Sequence, residues 1–423
     1  MNLLGVLTNS CFRPHAPLTS RQLLDIDQSV RMMEVGTLPF APELRMTNRI
    51  ERIDLGILEG TRPRPAGKNA RLDEHGSTVR LPIARVVTTD GSTGFGITRA
   101  SREHLALLVG MSLDDAYDPE TGVTATAMPI EFAIWDLVGK QQGKPVYQLV
   151  ARDGFDSGEP FRVPCYDTSL YFDCLHLDSD EECAALMASE VEEGLARGHR
   201  HFKIKVGRGA RHLPLESGTR RDILVIHTVR QTAGPDARLM IDANNGYNLN
   251  LTKRVLSETA TCNLYWLEEA FHEDPVLYRD LKCWLYEQNL PVLIGDGEGD
   301  ASSHVMEWAR EGHIDVVQYD IIRPGFTRWL AIGRQLDAWD VASAPHHYGT
   351  LYGNFATGHL ASAIAGFQFV EWDHAEAPGL DSPGYTIEDG YLTIPDAPGF
   401  GLQLDEERFA ASVVTEGMAF AAD

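Results

Sequence analysis

Four stretches decide the fold: HFKIKVG (201–207), LMIDANN (239–245), YWLEEAF (265–271) and PVLIGDGEG (291–299). Each is an apolar, strand-like run that gives way to charged or amide side chains. In the first, Phe202, Ile204 and Val206 alternate with Lys203 and Lys205, so a period of two puts both ammonium groups on one face. Asp242 ends the second run and Glu268 the third, 26 residues apart. That interval fits one strand, one crossover helix and two short loops of a parallel βαβ repeat. Such a repeat stacks the two carboxylates side by side.

The same alternation extends in both directions. Strands are expected near 162–166, 201–206, 238–242, 264–268, 291–296, 315–320, 341–346 and 367–371, with seven amphipathic helices between them. In the clearest helix, DSDEECAALMASEVEEGLARG (178–198), an acidic first turn precedes an alanine-rich body and Gly198 caps the end. After the eighth strand the pattern stops. The fold class is therefore α/β, a (β/α)7β TIM-like barrel over residues 161–375 that lacks its last helix, with its chemistry at the C-terminal ends of the strands. Residues 1–160 mix strand and helix less regularly and read as an N-terminal α+β capping domain. There VRLPIARVVTTDGSTGFGITRA (79–100) forms two strands, and PIEFAIWDLVGKQQG (129–143) forms a helix burying one apolar stripe. Residues 376–423, rich in Pro, Gly and Asp, read as an extended segment returning to the cap.

The chain has 423 residues, 43% of them hydrophobic, and 61 acidic against 37 basic side chains give a formal charge of -24. Length and composition suit a globular enzyme with a large core. The charge excludes nucleic acid and an anionic membrane as partners, because both call for basic patches. Cys11, Cys165, Cys174, Cys183, Cys262 and Cys283 show no CxxC pair or regular framework, so reduced thiols in a soluble, cytoplasmic protein are expected. The apolar start is too short for a signal peptide, and no apolar run approaches the ~20 residues of a membrane span.

Taken singly, each charged residue has a plain structural reading: Lys203 and Lys205 as the wet face of a strand, Asp242 and Glu268 as helix caps. Their coincidence at successive strand ends argues otherwise. Carboxylates held close together repel unless ammonium groups or a divalent cation stand among them. Oxygen-only ligation suits Mg2+ better than Zn2+. The third ligand is Glu298, with Asp296 the alternative: Asp296 ends its strand directly, whereas the longer Glu298 can reach the site from the GEG turn while Asp296 supports it from behind. The next strands add Asp320 in VVQYD and His346 with His347 in VASAPHHYG. A carboxylate bonded to one ring nitrogen fixes the tautomer and makes His346 a general acid or base. Glu371 in FQFVEWD completes the ring as an acid or hydrogen-bond donor.

These motifs, together with the cap, the seven-helix barrel and the helix PIEFAIWDLVGKQQG, resemble the enolase superfamily in its mandelate racemase and muconate lactonizing branch. The resemblance implies that Lys205 is the usual base with Lys203 beside it, that His346 and Asp320 form a dyad, and that Glu371 is the electrophilic glutamate. It implies cap loops over the substrate, making Arg13 and His15 candidate substrate contacts alongside Asn244 and His347. The chemistry implied is Mg2+-dependent removal of the proton α to a carboxylate through an enediolate. Around APHHYG the likeness is to sugar-acid dehydratases, so the expected reaction converts a small-molecule carboxylate, a sugar acid, to a 2-keto-3-deoxy acid. Racemisation or epimerisation of a hydroxy acid is the alternative, metal-dependent aldose isomerisation a second, and a non-catalytic metal-binding barrel the rival from another class. A homo-oligomer is expected. Two departures stand out: RGARHLPLESGTRR (208–221) lengthens the segment after the lysines, and GDGEG offers two acids where the family presents one.

Overall fold

The structure is a computed structural model that describes residues 48–156, 160–415 and 417–421. Arg13 and His15 lie outside the described residues. The β-rich runs of the cap form an antiparallel sheet from β1 (Ile50–Ala66), β2 (Gly76–Thr88) and β3 (Thr93–Ile97). Against it lies α1 (Glu131–Gln142), which begins just after Pro129 and ends at Gly143, where φ is +64°. Instead of burying a single stripe, α1 is buried on every side from Glu131 to Gly139. The reason is close backbone packing. A Cβ on Gly94 would lie 2.4 Å from the Ala133 carbonyl oxygen, and one on Gly96 2.5 Å from the Phe132 Cβ.

The barrel follows as β4 (Phe161–Leu170), α2 (Asp180–Ala196), β5 (Phe202–Lys205), α3 (Leu215–Ala233), β6 (Leu239–Asp242), α4 (Leu249–Glu258), β7 (Leu264–Glu268) and α5 (Pro275–Glu287). It continues as β8 (Leu293–Asp296), α6 (Val305–Arg310), β9 (Val316–Val317), α7 (Phe326–Ala338), β10 (Ala342–Ser343), α8 (Tyr352–His359) and β11 (Val370–Trp372). Seven crossover helices join eight parallel strands, because each strand buries both faces and must be covered outside. The ring closes where β11 pairs with β4, setting Glu371 opposite Tyr166 and Trp372 opposite Asp167. Tyr166, Met240, Trp266, Val316, Ala344 and Phe369 fill the lumen. Register sets Lys205 opposite Asp242, and Asp242 opposite Glu268. On α2 the Ser179 hydroxyl accepts from the Glu182 N–H at 3.0 Å, and Gly198 beyond its end has a φ of +96°.

Two sequence expectations differ here. The C-terminal segment is not simply extended: β12 (Thr386–Glu388) and β13 (Tyr391–Ile394) form a hairpin on β4, and α9 (Glu406–Thr415) precedes β14 (Met418–Ala421), which pairs with β1. Most of the Pro and Gly lies before residue 402, which leaves EERFAASVVT free to coil. The thiols are not all reduced either. Cys174 and Cys183 form a disulfide with their Cα atoms 5.1 Å apart, a normal spacing. It joins the turn after β4 to the first part of α2, a juxtaposition that cysteine spacing does not reveal. No described helix is long and apolar enough to cross a membrane.

Buried carboxylates on α1 tie these parts together. Glu131 accepts from the Phe326 and Thr327 N–H groups at 3.1 and 3.0 Å, at the start of α7, where the helix dipole favours negative charge. Asp136 accepts from the Phe95 N–H of the cap sheet at 3.0 Å, the Phe400 N–H of the C-terminal segment at 3.1 Å and the Lys140 ammonium at 2.7 Å. Asp136→Ala strands the two backbone N–H groups in a dry interior, while the partly exposed Lys140 turns to solvent, and should cost about 1–3 kcal/mol for each stranded group. A denaturant midpoint unchanged from the parent would show that Asp136 does not hold the parts together.

Candidate active site

The side chains at the strand ends converge on the barrel mouth. Lys203, from the middle of β5, is fully buried, with its ammonium 2.7 Å from Glu371, 2.9 Å from Glu268 and 3.7 Å from Asp242. It also lies 5.6 Å from the centre of the Tyr166 ring. Two residues on and facing the same way, Lys205 pairs with Asp242. Burial opposes both charges, but the carboxylates outweigh it: Lys203 is held well above the usual lysine range and Lys205 is pushed up to about 12.

Asp242, Glu268 and Glu298 each present an oxygen, and these oxygens lie within 4.8 Å of one another. Glu268 accepts from the Gln318 amide at 2.8 Å and the Trp266 indole at 3.2 Å. Burial and the neighbouring acids nevertheless raise its pKa to about 7. One buried Glu298 oxygen makes no aligned hydrogen bond among the described residues and faces His346 Nε2 at 3.4 Å. Crowded, oxygen-only and partly unsatisfied, this triad fits a hard divalent cation. Asp296 faces elsewhere. Its carboxylate accepts from the Tyr278 hydroxyl of α5 and, at 2.7 Å, from the Gly297 N–H.

Across the mouth, Asp320 lies 2.6 Å from His346 Nδ1. His346 Nε2 faces inward, 3.4 Å from Glu298 and 3.7 Å from Glu371. Burial lowers the imidazolium's stability, but Glu298, Glu371 and Asp320 overcome it and raise the ring to about 10. Glu371 departs from the expected donor. It accepts from Thr168 Oγ1 at 2.6 Å and the His347 N–H at 3.0 Å. Despite burial, Lys203 and His346 hold it ionised, well below the usual range. The buried His347 ring packs on Gly353 of α8, where an added Cβ would lie 2.0 Å from Nδ1, and its Nε2 has no hydrogen-bond partner among the described residues. Asn244 sits at the rim, donating to Glu269 at 3.0 Å.

Several residues at the site escaped sequence analysis. Gln318 and Thr168 had a signal in strand periodicity: Gln318 lies two residues before Asp320, and Thr168 alternates with Asp167 on β4. Glu269, the second acid of YWLEEAF, donates nothing to periodicity but anchors Asn244 and Asn245. His75 from the cap had no signal. Its ring stands edge-on to Tyr171 and Tyr348, with centroids at 5.3 and 5.5 Å, while Arg62 binds Asp373 at 2.7 Å and lies 4.7 Å from the Tyr348 ring centre.

A family model described as Enolase C-terminal domain-like matches residues 186–408, more than half of the chain. A mutant galacturonate dehydratase from a Geobacillus species, solved with Mg, is 46% identical with a TM-score of 0.87, covering 91% of this chain and 100% of that one. The galacturonate dehydratase from a Geobacillus species solved with D-galacturonate and 5-keto-4-deoxy-D-galacturonate is 47% identical, with a TM-score of 0.85 over 89% of this chain and 100% of that one. The D-galactarolactone cycloisomerase of Agrobacterium fabrum is 28% identical over 305 residues, 68% of this chain and 74% of that protein. By the family match and by this likeness over nearly its full length, the chain belongs to the enolase superfamily, in the mandelate racemase and muconate lactonizing branch.

Proposed function

We propose that the protein is a Mg2+-dependent lyase that dehydrates a sugar acid, taking the proton α to the carboxylate and expelling the β-hydroxyl. The observation that carries this reading is the opposition of Lys205, bonded to Asp242, and His346, 3.4 Å from Glu298, on two flanks of one acid triad. One proton acceptor and one donor are thereby available to opposite sides of a bound carboxylate. The 47% identity to the galacturonate dehydratase favours a hexuronate as substrate. Numbered from the aldehyde end, 5-keto-4-deoxy places the keto group next to the carboxylate, the same relation as in a 2-keto-3-deoxy acid numbered from its carboxyl carbon.

Asp242, Glu268 and Glu298 would hold the Mg2+. When bound, it supplies positive charge against the second negative charge that develops on the substrate carboxylate, and takes up the Asp242 charge that otherwise stabilises the Lys205 ammonium. Lys205 removes the α-proton. Lys203, fixed between Glu268 and Glu371, adds charge close to the carboxylate, and Glu371 acts by holding it. His346, with Nδ1 held by Asp320, keeps a proton on Nε2 for the departing hydroxyl. A positioned acid or base of this kind contributes roughly 10² to 10⁴ in rate. The cytoplasm and a homo-oligomer complete the proposal.

Three measurements test it. With D-galacturonate in D2O, the product should be lighter by one water and carry one solvent deuterium at the carbon that lost the hydroxyl. An epimer of unchanged mass would sink the dehydratase reading. Calorimetric titration should show Glu298→Gln weakening Mg2+ far more than Asp296→Asn does, and the reverse order would make Asp296 the ligand. Asp320→Asn should lower kcat by roughly 10² to 10⁴ with Mg2+ affinity nearly intact, so parallel loss of metal would contradict its role beside His346.

A further inference from the structure

Along β4, Tyr166 and Thr168 face the lumen, so Cys165 and Asp167 face outward toward α2. There the Asp167 carboxylate lies so near α2 that a Cβ on Gly194 would be 2.6 Å from its Oδ2. His199, just past α2, donates its N–H to the Gly194 carbonyl at 3.0 Å. His374 follows β11, whose Trp372 is the pairing partner of Asp167. Three segments remote in sequence thus meet on the outside of the barrel, at the seam where its last strand closes on its first.

Asp167, His199 and His374 each present a ligand atom, and these atoms lie within 4.8 Å of one another. His374 Nε2 is 3.3 Å from Asp167 Oδ2. The two imidazoles stand perpendicular at 89°, with centroids 4.9 Å apart. Asp167 and His199 are fully buried. Asp167 Oδ2, His199 Nε2 and His374 Nε2 are all buried without an aligned hydrogen-bond partner among the described residues. On the far side of two of the ligands, Asp167 Oδ1 accepts from the Ser169 N–H at 2.8 Å, and His199 Nδ1 faces Cys165 Sγ at 4.0 Å. Unsatisfied buried polar atoms are costly and rare. Three that converge are satisfied together by a single cation.

We propose that Asp167, His199 and His374 form a second metal site, for Zn2+ or a cation of similar softness, that pins the closing seam of the barrel. Two imidazole nitrogens and one carboxylate oxygen are a Zn2+ donor set that leaves a fourth position for water. The triad at the mouth offers oxygen alone, so donor chemistry separates the two metals. Of the three, His374 reaches toward the outside: it lines a cavity of about 410 Å³ together with Trp372, Glu376 and Asp381. The site does not depend on the reaction proposed above.

The test uses full-length protein stripped with chelator, equilibrated with Zn2+ in excess Mg2+, dialysed and analysed for metal. The parent and Glu298→Gln should each retain a single Zn2+ per chain. Asp167→Asn, which keeps the shape of the side chain, and His374→Ala, at the more exposed ligand, should each weaken retention beyond the roughly 10- to 100-fold that loss of a ligand's supporting partner costs. Zn2+ should also raise the Tm of the parent and not of His374→Ala. Absence of retained Zn2+ in the parent, or equal retention in the parent and both site variants, would overturn the proposal.

Discussion

Burying Lys203 among Asp242, Glu268 and Glu371 is the constraint on which the barrel mouth depends. An ammonium taken out of water loses several kcal/mol of solvation, and only close, oriented carboxylates restore it. Lys203 has them at 3.7, 2.9 and 2.7 Å respectively. Each carboxylate is in turn held by others: Asp242 by the Asn244 N–H and Lys205, Glu268 by Gln318 and Trp266, Glu371 by Thr168 and the His347 backbone. The network spans β4, β5, β6, β7, β9 and β11, so strand register and charge balance must be correct together. A slip of one residue in any strand would turn its polar side chain out of the lumen.

Backbone strain lies next to this network. Asn244, Asn245 and Glu269 adopt φ of 41°, 61° and 41°, left-handed conformations that side chains other than glycine rarely take. They follow Asp242 and Glu268 directly and turn the chain aside once the carboxylates are in place. Both asparagine amides donate to Glu269, at 3.0 and 3.3 Å, fixing the turns against each other. Burial and the charges of Glu298 and Asp242 raise Glu269 to about 9.

The chain also segregates its acids by function. With a formal charge of -24, an anionic substrate meets overall repulsion; at the mouth carboxylates match Lys203, Lys205 and Arg62, so the divalent cation proposed for the triad would supply the attraction. Farther out, Glu131 and Asp136 are buried acids that satisfy backbone N–H groups and hold the cap, barrel and C-terminal segment together. At the seam, Asp167 faces two imidazoles and no lysine, which is why its donor set differs from that of the mouth.

The order of strands, the missing eighth helix and the shared face of Lys203 and Lys205 were legible in the sequence, because periodicity and element spacing are local properties. So was the convergence of Asp242, Glu268, Asp320 and His346, since a parallel barrel brings successive strand ends to one rim. Glu298 was preferred to Asp296 on side-chain length alone; that Tyr278, 18 residues earlier on α5, engages Asp296 is a tertiary contact the sequence does not announce. His347, the neighbour of His346, was read as a substrate contact, and the structure buries its ring against Gly353 of α8, a contact that sequence alone does not reveal. The Cys174–Cys183 bond, the anchoring role of Glu269 and the meeting of Asp167 with His199 and His374 had no sequence signal. Each arises from where separate segments pack against one another, and side-chain direction at the end of a strand is settled by those contacts, not by the pattern along the chain.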